Sequence, residues 1–557
     1  MAQSGFADRR DRPMDFRPTL PAALRRAADR FAGQEFLAHG ARRISFSAAE
    51  RESAALARGL LALGLGKASR VGLMMPNSPD WVLAWLASAR MGALTVAMSS
   101  LYQPPEIAWA LRHNDIDTLF VAASYMGHDY LDRLERALPG LADQKAGALR
   151  LGTAPYLRRI LVWGANDRPW ASPAPGSLLN AASASPEIDD AFLAVIEAQV
   201  MPADDFMVIC TSGTTAEPKA VAHTHGAAMR NTWAFGPLMD IGDGDRIYNT
   251  LPFFWVGGIL RALAPALFDG AAIVFSDTAH PADIVDVLID EKVTVLNLGA
   301  GVIHGLRAEL ARRGVSLPAL RAGFGPPLDR NGQVVPRERR AASPLGMTET
   351  FGTHSAESEF APVSPRMAGG RGRPMPGIQR RIVSVETGEI LGPGEEGELQ
   401  VRGPTLMRGY LKREREEVLT PDGFFATGDR CSIDEDGCLW FTGRVKELIK
   451  CAGANVSPLE VEAVLVSYPE VREALVFGLP DPGRGQAVAA AIVPEPGAIF
   501  DADAVRRRLK GDLSAYKVPT IIVELTAEEV PRTDTGKPKK EAVAERVLAE
   551  RRRRPAE

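Results

Sequence analysis

A loop sequence, Thr211-Ser-Gly-Thr-Thr-Ala-Glu-Pro-Lys219, follows directly on the apolar run Phe206-Met-Val-Ile-Cys210. Small hydroxyl residues, a glycine and one cation suit a polyphosphate, because backbone N–H groups and hydroxyls donate to phosphate oxygens and the lysine adds positive charge. The spacing is not that of a Walker loop, so Mg²⁺ ligands are expected elsewhere in the chain. Taken alone, this composition is equally typical of an ordinary turn after a strand. The candidate phosphate contacts are Thr211, Ser212, Gly213, Thr214, Thr215 and Lys219.

Short apolar runs rich in β-branched residues alternate with helical patterns on both sides of this loop. The predicted strands are Arg70–Met75, Leu94–Ala97, Thr118–Ala122, Phe206–Cys210, Ala271–Phe275 and Thr294–Leu298, and the predicted helices are Ala48–Leu63, Pro79–Met91 and Pro281–Glu291. This alternation predicts an α/β architecture with largely parallel sheets. Residues 167–185 are biased to Pro, Ser, Ala and Gly, which predicts a surface loop.

The pattern changes to that of a small α+β unit after about residue 444. We predict helices at Pro458–Ser467, at Ala502–Leu513 and from Lys540 onward, and strands at Glu473–Gly478, Val488–Val493 and Ile521–Leu525. The length of 557 residues agrees with more than one domain, and a hydrophobic content of 46% can fill more than one core.

Charge and composition exclude several classes of protein. The formal net charge is −4, so the chain as a whole has no attraction to nucleic acid or to anionic lipid. The amino terminus is charged, and the most apolar stretch, residues 81–98, is interrupted by Arg90 and Gly92. A cytoplasmic protein without a transmembrane segment is therefore predicted. The four cysteines show no C-x-x-C spacing, which indicates buried free thiols.

Four more motifs follow the loop in order. They are Gly346-Met-Thr-Glu-Thr350, Thr427-Gly-Asp429, Gly443-Arg-Val-Lys-Glu-Leu-Ile-Lys450 and Pro531-Arg-Thr-Asp-Thr-Gly-Lys537. Each motif alone is weak, but five in this order resemble the adenylate-forming (ANL) superfamily, which includes acyl- and aryl-CoA ligases, firefly luciferase and the adenylation domains of peptide synthetases.

The resemblance implies a fold and a domain organisation. We expect a large α/β N-terminal adenylation domain over residues 1–443, with the adenylate-forming enzyme fold. A small, mobile α+β C-terminal domain is expected over residues 444–557. The hinge between them is expected near Lys446, which occupies the matching position in the sequence.

The resemblance also implies an ATP-dependent carboxylic acid:CoA ligase that forms an acyl-adenylate and then an acyl-CoA thioester. A carboxylate attacks the α-phosphate while pyrophosphate leaves, so the site must neutralise the charge of three phosphates. By position, the 211–219 loop holds the β- and γ-phosphates, Glu349 ligates Mg²⁺ and Thr348 contacts the α-phosphate. Asp429 and Arg444 match the residues that reach the ribose. The adenine-binding segment of the family corresponds to Gly323, Gly325, Pro326 and Pro327.

Two lysines match residues that divide the two half-reactions in the family. Lys537 corresponds to the lysine that bridges the acyl carboxylate and the α-phosphate during adenylation. Lys450 lies in a segment that matches the family loop that enters the site after domain rotation. In the same segment, Gly453, Ala454 and Asn455 would line the channel for CoA. As isolated residues, both lysines are equally typical of solvated surface cations.

Departures from the family pattern concentrate at two places. Ala216 and Ala220 replace glycines in and after the phosphate loop, and Leu345 replaces an aromatic residue before the Gly-Met-Thr-Glu motif. Trp255 stands where many members have histidine, and Gly299, Ala300 and Gly301 replace bulkier residues. If these four residues line the acyl pocket, they predict a roomy apolar site. We therefore expect a hydrophobic acid: a medium- or long-chain fatty, alicyclic, aromatic or steroid-derived acid.

Two other functions stay open at this point. One is an acyl-AMP ligase that serves a separate carrier protein, and the other is a catalytically weakened homologue that binds a nucleotide or an acyl group. Mg²⁺ is the expected metal cofactor, and ATP and CoA are the expected co-substrates. The expected partners are these small molecules and the acid, with no nucleic acid, and a homodimer is left open.

Overall fold

The computed structural model of the chain describes residues 12–211, 219–298, 300–322, 344–358, 363–445, 449–451, 454–456, 458–481, 485–513, 515, 517–534 and 536–553. The chain forms two compact units. One consists of Met1–Gln379 and Arg402–Phe424, and the other of Arg380–Val401 and Phe425–Glu557. The domain boundary expected at residue 444 stays a prediction, and the expected hinge residue Lys446 lies outside the described residues.

The described residues form fifteen α-helices and twenty-seven β-strands. The helices are α1 (Leu20–Phe31), α2 (Phe46–Ala62), α3 (Pro79–Arg90), α4 (Pro104–His113), α5 (Tyr130–Ala137), α6 (Gly176–Ala184), α7 (Asp190–Ala198), α8 (His225–Phe235), α9 (Val256–Gly258), α10 (Ala264–Asp269), α11 (Pro281–Asp290), α12 (Ala300–Arg313), α13 (Pro458–Val466), α14 (Ala502–Asp512) and α15 (Lys540–Arg553). The strands are β1 (Glu35–His39), β2 (Arg42–Ser45), β3 (Arg70–Met74), β4 (Leu94–Ala97), β5 (Thr118–Ala122), β6 (Ser124–Tyr125), β7 (His128–Asp129), β8 (Arg159–Trp163), β9 (Ser172–Ala174), β10 (Asp205–Thr211), β11 (Lys219–Thr224), β12 (Arg246–Asn249), β13 (Ala272–Phe275), β14 (Val295–Asn297), β15 (Leu345–Met347), β16 (Gly352–Ala356), β17 (Arg373–Pro374), β18 (Gln379–Val383), β19 (Gly397–Arg402), β20 (Gly409–Tyr410), β21 (Phe425–Ile433), β22 (Leu439–Arg444), β23 (Ile449–Cys451), β24 (Ala454–Val456), β25 (Val471–Asp481), β26 (Gly485–Pro494) and β27 (Ile521–Glu524).

Two sheets organise the first unit. The larger has the strand order β20-β11-β10-β4-β3-β5-β8-β9. It is parallel from β10 to β9 and antiparallel across β20, β11 and β10. The second sheet has the order β14-β12-β13-β1-β2 and is parallel except for the β1–β2 pair. The predicted α/β architecture with largely parallel sheets is confirmed.

Helix α3 lies in the core of the first unit, and nearly all its residues are buried. Ser78 caps its start by accepting a hydrogen bond from Trp81 N. The buried guanidinium of Arg90 pairs with Glu50 and Glu197, because a charge in this position needs carboxylate partners. The apolar stretch around α3 is therefore a core helix. Within the described ranges, no helix is long and apolar enough to cross a membrane.

The prediction of a surface loop over residues 167–185 is wrong, since this segment contains β9 and α6. Helix α6 packs on α2 through Leu178, which is fully buried. Gly59 of α2 permits this close approach, because a Cβ atom there would lie 2.3 Å from the carbonyl oxygen of Leu178. The small residues that suggested a loop thus form a short helix that is anchored by one leucine.

The second unit contains two sheets, of order β18-β19-β21-β22 and β24-β23-β26-β25, and β27 runs parallel to β26. Alternate residues of β25 and β26 enter two separate apolar clusters, as the period of two along a strand requires. One cluster contains Val476 and Val488 with residues of α13 and α14, and the other contains Phe477 and Ala489 with residues of α15. The predicted α+β character of this part of the chain is confirmed.

Candidate active site

The two ends of the predicted phosphate loop face one another in the larger sheet. Thr211 ends β10 and Lys219 begins β11, and they are partners in the antiparallel pairing of these strands. Ser212, Gly213, Thr214, Thr215 and Ala216 lie outside the described residues. Ala220 is buried within β11 and pairs with Cys210. Its place in a regular strand needs no glycine, so this departure from the family pattern leaves the strand intact.

The turn Thr348–Thr350, a short 3-10 helix that carries Thr348 and Glu349, is held through its carbonyl oxygens. His223 Nε2 lies 2.7 Å from the Thr348 carbonyl, and Met407 N donates to the Glu349 carbonyl at 2.7 Å. Asn231 Nδ2 donates to the Thr350 carbonyl at 2.7 Å and to the Phe351 carbonyl at 3.2 Å. Four consecutive carbonyl groups are thereby fixed by three different parts of the chain.

The contact from His223 has a defined donor. This ring is fully buried, and burial lowers the pKa of His223 to about 4, so the imidazole is neutral at pH 7. Nε2 therefore carries the proton and donates a hydrogen bond to the Thr348 carbonyl. The ring also meets the ring of Phe351 edge to face, with centroids 4.9 Å apart.

Glu349 is itself buried, at 8% exposure, and Tyr410 contacts its carboxylate. The Tyr410 hydroxyl donates to Glu349 Oε1 at 2.7 Å. Burial, followed by the negative charge of Glu349, raises the pKa of Tyr410, so the phenol remains a donor. Lys219 Nζ lies 5.0 Å from the centroid of the Tyr410 ring, within the range of a cation–π contact.

Close backbone approach fixes the strands on either side of this turn. Gly346 of β15 pairs with Thr353 of β16, and a Cβ atom at Gly346 would lie 2.3 Å from the Gly352 carbonyl oxygen. Gly352 has a φ of +107°, and a Cβ atom there would lie 2.6 Å from Leu260 Cδ2. Leu260 belongs to the π-helical turn Ile259–Leu263, which therefore packs directly against the end of the motif.

The candidate acyl-pocket residues lie on two segments that leave one edge of the smaller sheet. Asn249 ends β12 and Asn297 ends β14, and the two are partners in parallel strands. The Trp255 segment continues from β12, and Ala300 and Gly301 begin α12 after β14, while Gly299 lies outside the described residues. Asn297 Nδ2 donates to the Arg261 carbonyl at 2.6 Å, which ties the two segments together. Trp255 is partly buried against the core.

In the second unit, Asp429 and Arg444 are partners across β21 and β22. Arg444 Nε lies 2.8 Å from Asp429 Oδ1, with side-chain exposures of 46% and 3% respectively. Arg444 Nη1 also donates to the Thr427 carbonyl at 3.2 Å, and Asp429 N donates to Thr427 Oγ1 at 3.0 Å. The two predicted ribose-binding residues therefore orient one another on a rigid hairpin.

The two predicted catalytic lysines lie elsewhere in this unit. Lys450 is in β23, where it pairs with Asn455 of β24, next to Ala454. Lys537 closes a turn in which Thr533 N donates to the Lys537 carbonyl at 2.8 Å, and its side chain is exposed. Gly536 adopts a φ of +77° in this turn, a conformation that favours glycine. Gly453 and the adenine-segment residues Gly323, Gly325, Pro326 and Pro327 lie outside the described residues.

Glu349 is the residue that fits a Mg²⁺ ion. In the described part of the chain, no group of three or more His, Cys, Asp or Glu side chains could hold a metal. Mg²⁺ commonly takes one or two carboxylates together with substrate phosphates and water. A single buried carboxylate beside a phosphate-loop lysine agrees with that mode of binding.

The sequence did not indicate His223, Asn231, Met407 or Tyr410. These residues act through contacts with positions far away in the sequence, and two of them carried a local signal. His223 is a polar residue within an apolar strand, and Tyr410 is an aromatic residue directly after Gly409 in a connection without a motif. The four cysteines are free thiols, as predicted, with Cys431, Cys438 and Cys451 buried and Cys210 partly buried.

The chain belongs to the AMP-binding enzyme family. The model of the AMP-binding enzymes matches residues 24–411, and that of the AMP-binding enzyme C-terminal domain matches residues 460–537. With its fold and relatives, the chain is an AMP-forming, ATP-dependent acid:CoA ligase of the adenylate-forming superfamily, which confirms the predicted family and type of enzyme.

Two relatives and one solved structure indicate the breadth of the similarity. The indoleacetate–CoA ligase of Aromatoleum aromaticum is 30% identical over 502 residues, covering 88% of this chain and 91% of the relative. The mitochondrial medium-chain acyl-CoA ligase of Mus musculus is 28% identical over 552 residues, covering 95% and 87%. The structure of an anthranilate CoA ligase with anthranoyl-AMP matches with a TM-score of 0.78 at 23% identity, covering 98% of this chain and 100% of that one. The predicted fold class, with a large N-terminal and a small C-terminal domain, is confirmed.

Proposed function

We propose that the chain ligates a hydrophobic carboxylic acid to CoA through an acyl-adenylate. One observation carries this proposal: the carbonyls of residues 348–351 are fixed by hydrogen bonds, and the Glu349 carboxylate and the Lys219 ammonium each contact the Tyr410 side chain. Preorganised charges of this kind stabilise the charge that develops during phosphoryl chemistry without reorganising at the moment of reaction.

In this proposal, the residues of the first unit bind the phosphates. Lys219 neutralises charge on the β- and γ-phosphates, Thr348 contacts the α-phosphate, and Glu349 would hold Mg²⁺, which would offset further phosphate charge. Asp429 accepts from the ribose hydroxyls in the orientation that Arg444 sets. Lys537 supplies the cation for the developing charge between carboxylate and α-phosphate, and Lys450 acts in thioester formation. The cytoplasmic location and the domain boundary at residue 444 stay predictions, and a homodimer stays open.

The apolar segments beside the site support the choice of a hydrophobic acid. Trp255 and the small residues at 299–301 follow the carboxyl ends of adjacent parallel strands, where ligands of α/β sheets commonly bind. These two relatives are named for indoleacetate and for medium-chain acids, which share an apolar body and one carboxylate. A wide apolar pocket would accept either shape.

A panel of acids tests the proposal. Pyrophosphate release is measured with ATP, Mg²⁺ and acids that range from acetate to octanoate, palmitate, indoleacetate and a bile acid, with and without CoA, and the products are identified by mass spectrometry. We expect turnover with hydrophobic acids and an acyl-CoA product. An adenylate that accumulates without a thioester would instead indicate a carrier-dependent ligase. The absence of pyrophosphate release with every acid would indicate a binding protein.

The acyl-pocket assignment has its own test, Gly301→Leu. If residues 299–301 form a pocket wall, the larger side chain should exclude the bulkiest accepted acids and leave short acids unaffected, because overpacking opposes entry by steric conflict. The ratio of kcat/KM between long and short acids is the measurement. Arg307→Leu, in the same helix, is the matched control. An unchanged size profile in a folded Gly301→Leu variant would remove these residues from the pocket.

A further inference from the structure

Residues 407–411 lie between strand β11 and the Thr348–Thr350 turn. On one side, Arg408 N donates to the Ala222 carbonyl at 2.8 Å and Leu411 N donates to the Ala220 carbonyl at 2.9 Å. On the other side, Met407 N donates to the Glu349 carbonyl at 2.7 Å. Tyr410 is paired with Val221 inside this frame, so its backbone position is fixed from both directions.

The Tyr410 side chain contacts two groups of opposite charge. Its hydroxyl donates to Glu349 Oε1 at 2.7 Å, and the face of its ring lies 5.0 Å from Lys219 Nζ. An ammonium and a carboxylate that both contact one half-buried side chain attract each other across it. Yet no ion pair joins Lys219 to Glu349, both of which the structure describes.

An ion pair between these two residues would be unproductive. A lysine that is bound to a carboxylate is less available to a phosphate, and a carboxylate that is bound to an ammonium is a poorer metal ligand. The phenol hydroxyl occupies one carboxylate oxygen, while the ring presents its negative face to the ammonium. Tyr410 therefore satisfies both groups without neutralising either of them.

We propose that Tyr410 is a positioning residue that keeps Glu349 and Lys219 apart, so that both stay available to Mg²⁺ and the phosphates of ATP. This inference rests on the proposed function, because it assigns the two charged residues to nucleotide binding. It adds a residue to the site that the motifs did not indicate. Removal of the hydroxyl alone should release the Glu349 carboxylate toward Lys219.

The test is the equilibrium binding of ATP by calorimetry, with and without Mg²⁺ and without any acid, so that no adenylate forms. Tyr410→Phe keeps the ring and removes one hydrogen bond to a charged group. We expect its affinity for ATP in the presence of Mg²⁺ to fall by about ten- to a hundred-fold. The affinity for ATP without Mg²⁺ should change much less, because the ring still faces Lys219. Tyr410→Leu should weaken both.

The matched control is Tyr468→Phe in the second unit. The Tyr468 hydroxyl donates to Asp512 Oδ2 at 2.6 Å, so the substitution removes the same kind of hydrogen bond at a place without a role in nucleotide binding. We expect wild-type ATP affinities with and without Mg²⁺ for this variant. A loss equal to that of Tyr410→Phe would show a general effect on stability and would overturn the proposal.

The pairing with Glu349 is tested by a double-mutant cycle. In a Glu349→Gln background there is no carboxylate to hold, so Tyr410→Phe should cause little further change in Mg²⁺–ATP affinity. A loss of the same size in both backgrounds would overturn the proposal, as would wild-type affinity in Tyr410→Phe. Should Tyr410→Phe fail to fold, Tyr410→Leu, which also lacks the hydroxyl donor, replaces it in the cycle. A wild-type protein that does not bind Mg²⁺–ATP would overturn the proposed function itself.

Discussion

Substitution of Gly346 by alanine should disturb the Glu349 turn without removing any functional group. The added Cβ atom would lie 2.3 Å from the Gly352 carbonyl oxygen and 2.6 Å from Thr353 Cα. Both are backbone atoms, so relief requires β15 and β16 to separate by about 1 Å, judged against the 3.4 Å or more of an ordinary contact. Overpacking of this kind typically costs about 1–3 kcal/mol of unfolding free energy.

The larger effect should fall on the chemistry. Glu349 lies three residues from Gly346, and a displacement of about 1 Å in a reacting group can lower a rate by roughly a hundred-fold. We expect Gly346→Ala to slow acid-dependent pyrophosphate release by roughly a hundred-fold, with only a modest loss of unfolding free energy in urea. The two measurements separate local displacement of the turn from general unfolding. If the variant is still folded in the absence of urea, its lower rate comes from the displaced turn.

Gly33→Ala is the matched control for this prediction. Nothing lies within 4 Å of a Cβ atom at Gly33, so the same change meets open space. It should leave both the unfolding free energy and the adenylation rate near their wild-type values. If Gly346→Ala adenylates at the wild-type rate and unfolds at the wild-type urea concentration, the close approach of β15 and β16 does not hold the turn.

Two further predictions concern Lys537 and His225. Lys537→Ala removes an exposed side chain from a turn that is held by its backbone. Folding should be unaffected, and adenylation should fall by about a hundred- to a thousand-fold, the usual effect of losing one preorganised donor, whereas pre-made acyl-adenylate and CoA should still give acyl-CoA. Burial lowers the pKa of His225 from 6.5 to about 3, so the unfolded chain takes up a proton below pH 6.5 that the folded chain does not. The free energy of unfolding should therefore fall as the pH falls from about 6.5 toward 3, and this one group should contribute up to about 1.36 kcal/mol for each pH unit. His225→Asn keeps an acceptor for the Leu20 N–H. In urea unfolding at a series of pH values, this variant should show a weaker dependence of stability on pH.

The controls for these two predictions differ in kind. For Lys537, the neighbouring exposed Lys539→Ala should retain adenylation, and equal loss of both half-reactions in a folded Lys537→Ala variant would refute the assigned role. For His225, the exposed His128→Asn should leave the dependence of stability on pH unchanged. An unchanged slope in His225→Asn would show that this ring does not resist protonation in the folded state.

The elements of the fold were largely predictable, because each depends on a local pattern. Leu94–Ala97 and Thr118–Ala122 were predicted with the bounds that the structure has, and α11 and α13 differ from their predictions by one residue at one end. The segment 167–185 failed for a specific reason. Its single buried leucine packs on Gly59, and this contact between residues far apart in the sequence leaves no local periodicity to detect.

The candidate site was predictable only where a residue carries its own chemistry. Lys219, Glu349, Asp429 and Arg444 stand in motifs, and the structure pairs Asp429 with Arg444 directly. Tyr410 was missed because its role depends on the pairing of β20 with β11, which brings it to Glu349 across 61 positions of sequence. Such pairings follow from topology, and a single sequence does not reveal them.

The double attachment of residues 407–411 has a consequence for insertions and deletions. Successive side chains of a strand point to opposite faces, so the loss or gain of one residue between Met407 and Tyr410 would turn the tyrosine ring away from Glu349 while the backbone pairing to β11 could persist. The length of this segment is therefore constrained independently of its composition. Relatives that retain the glutamate and the lysine should tolerate substitutions of Arg408 and Gly409 more readily than any gap between positions 407 and 410.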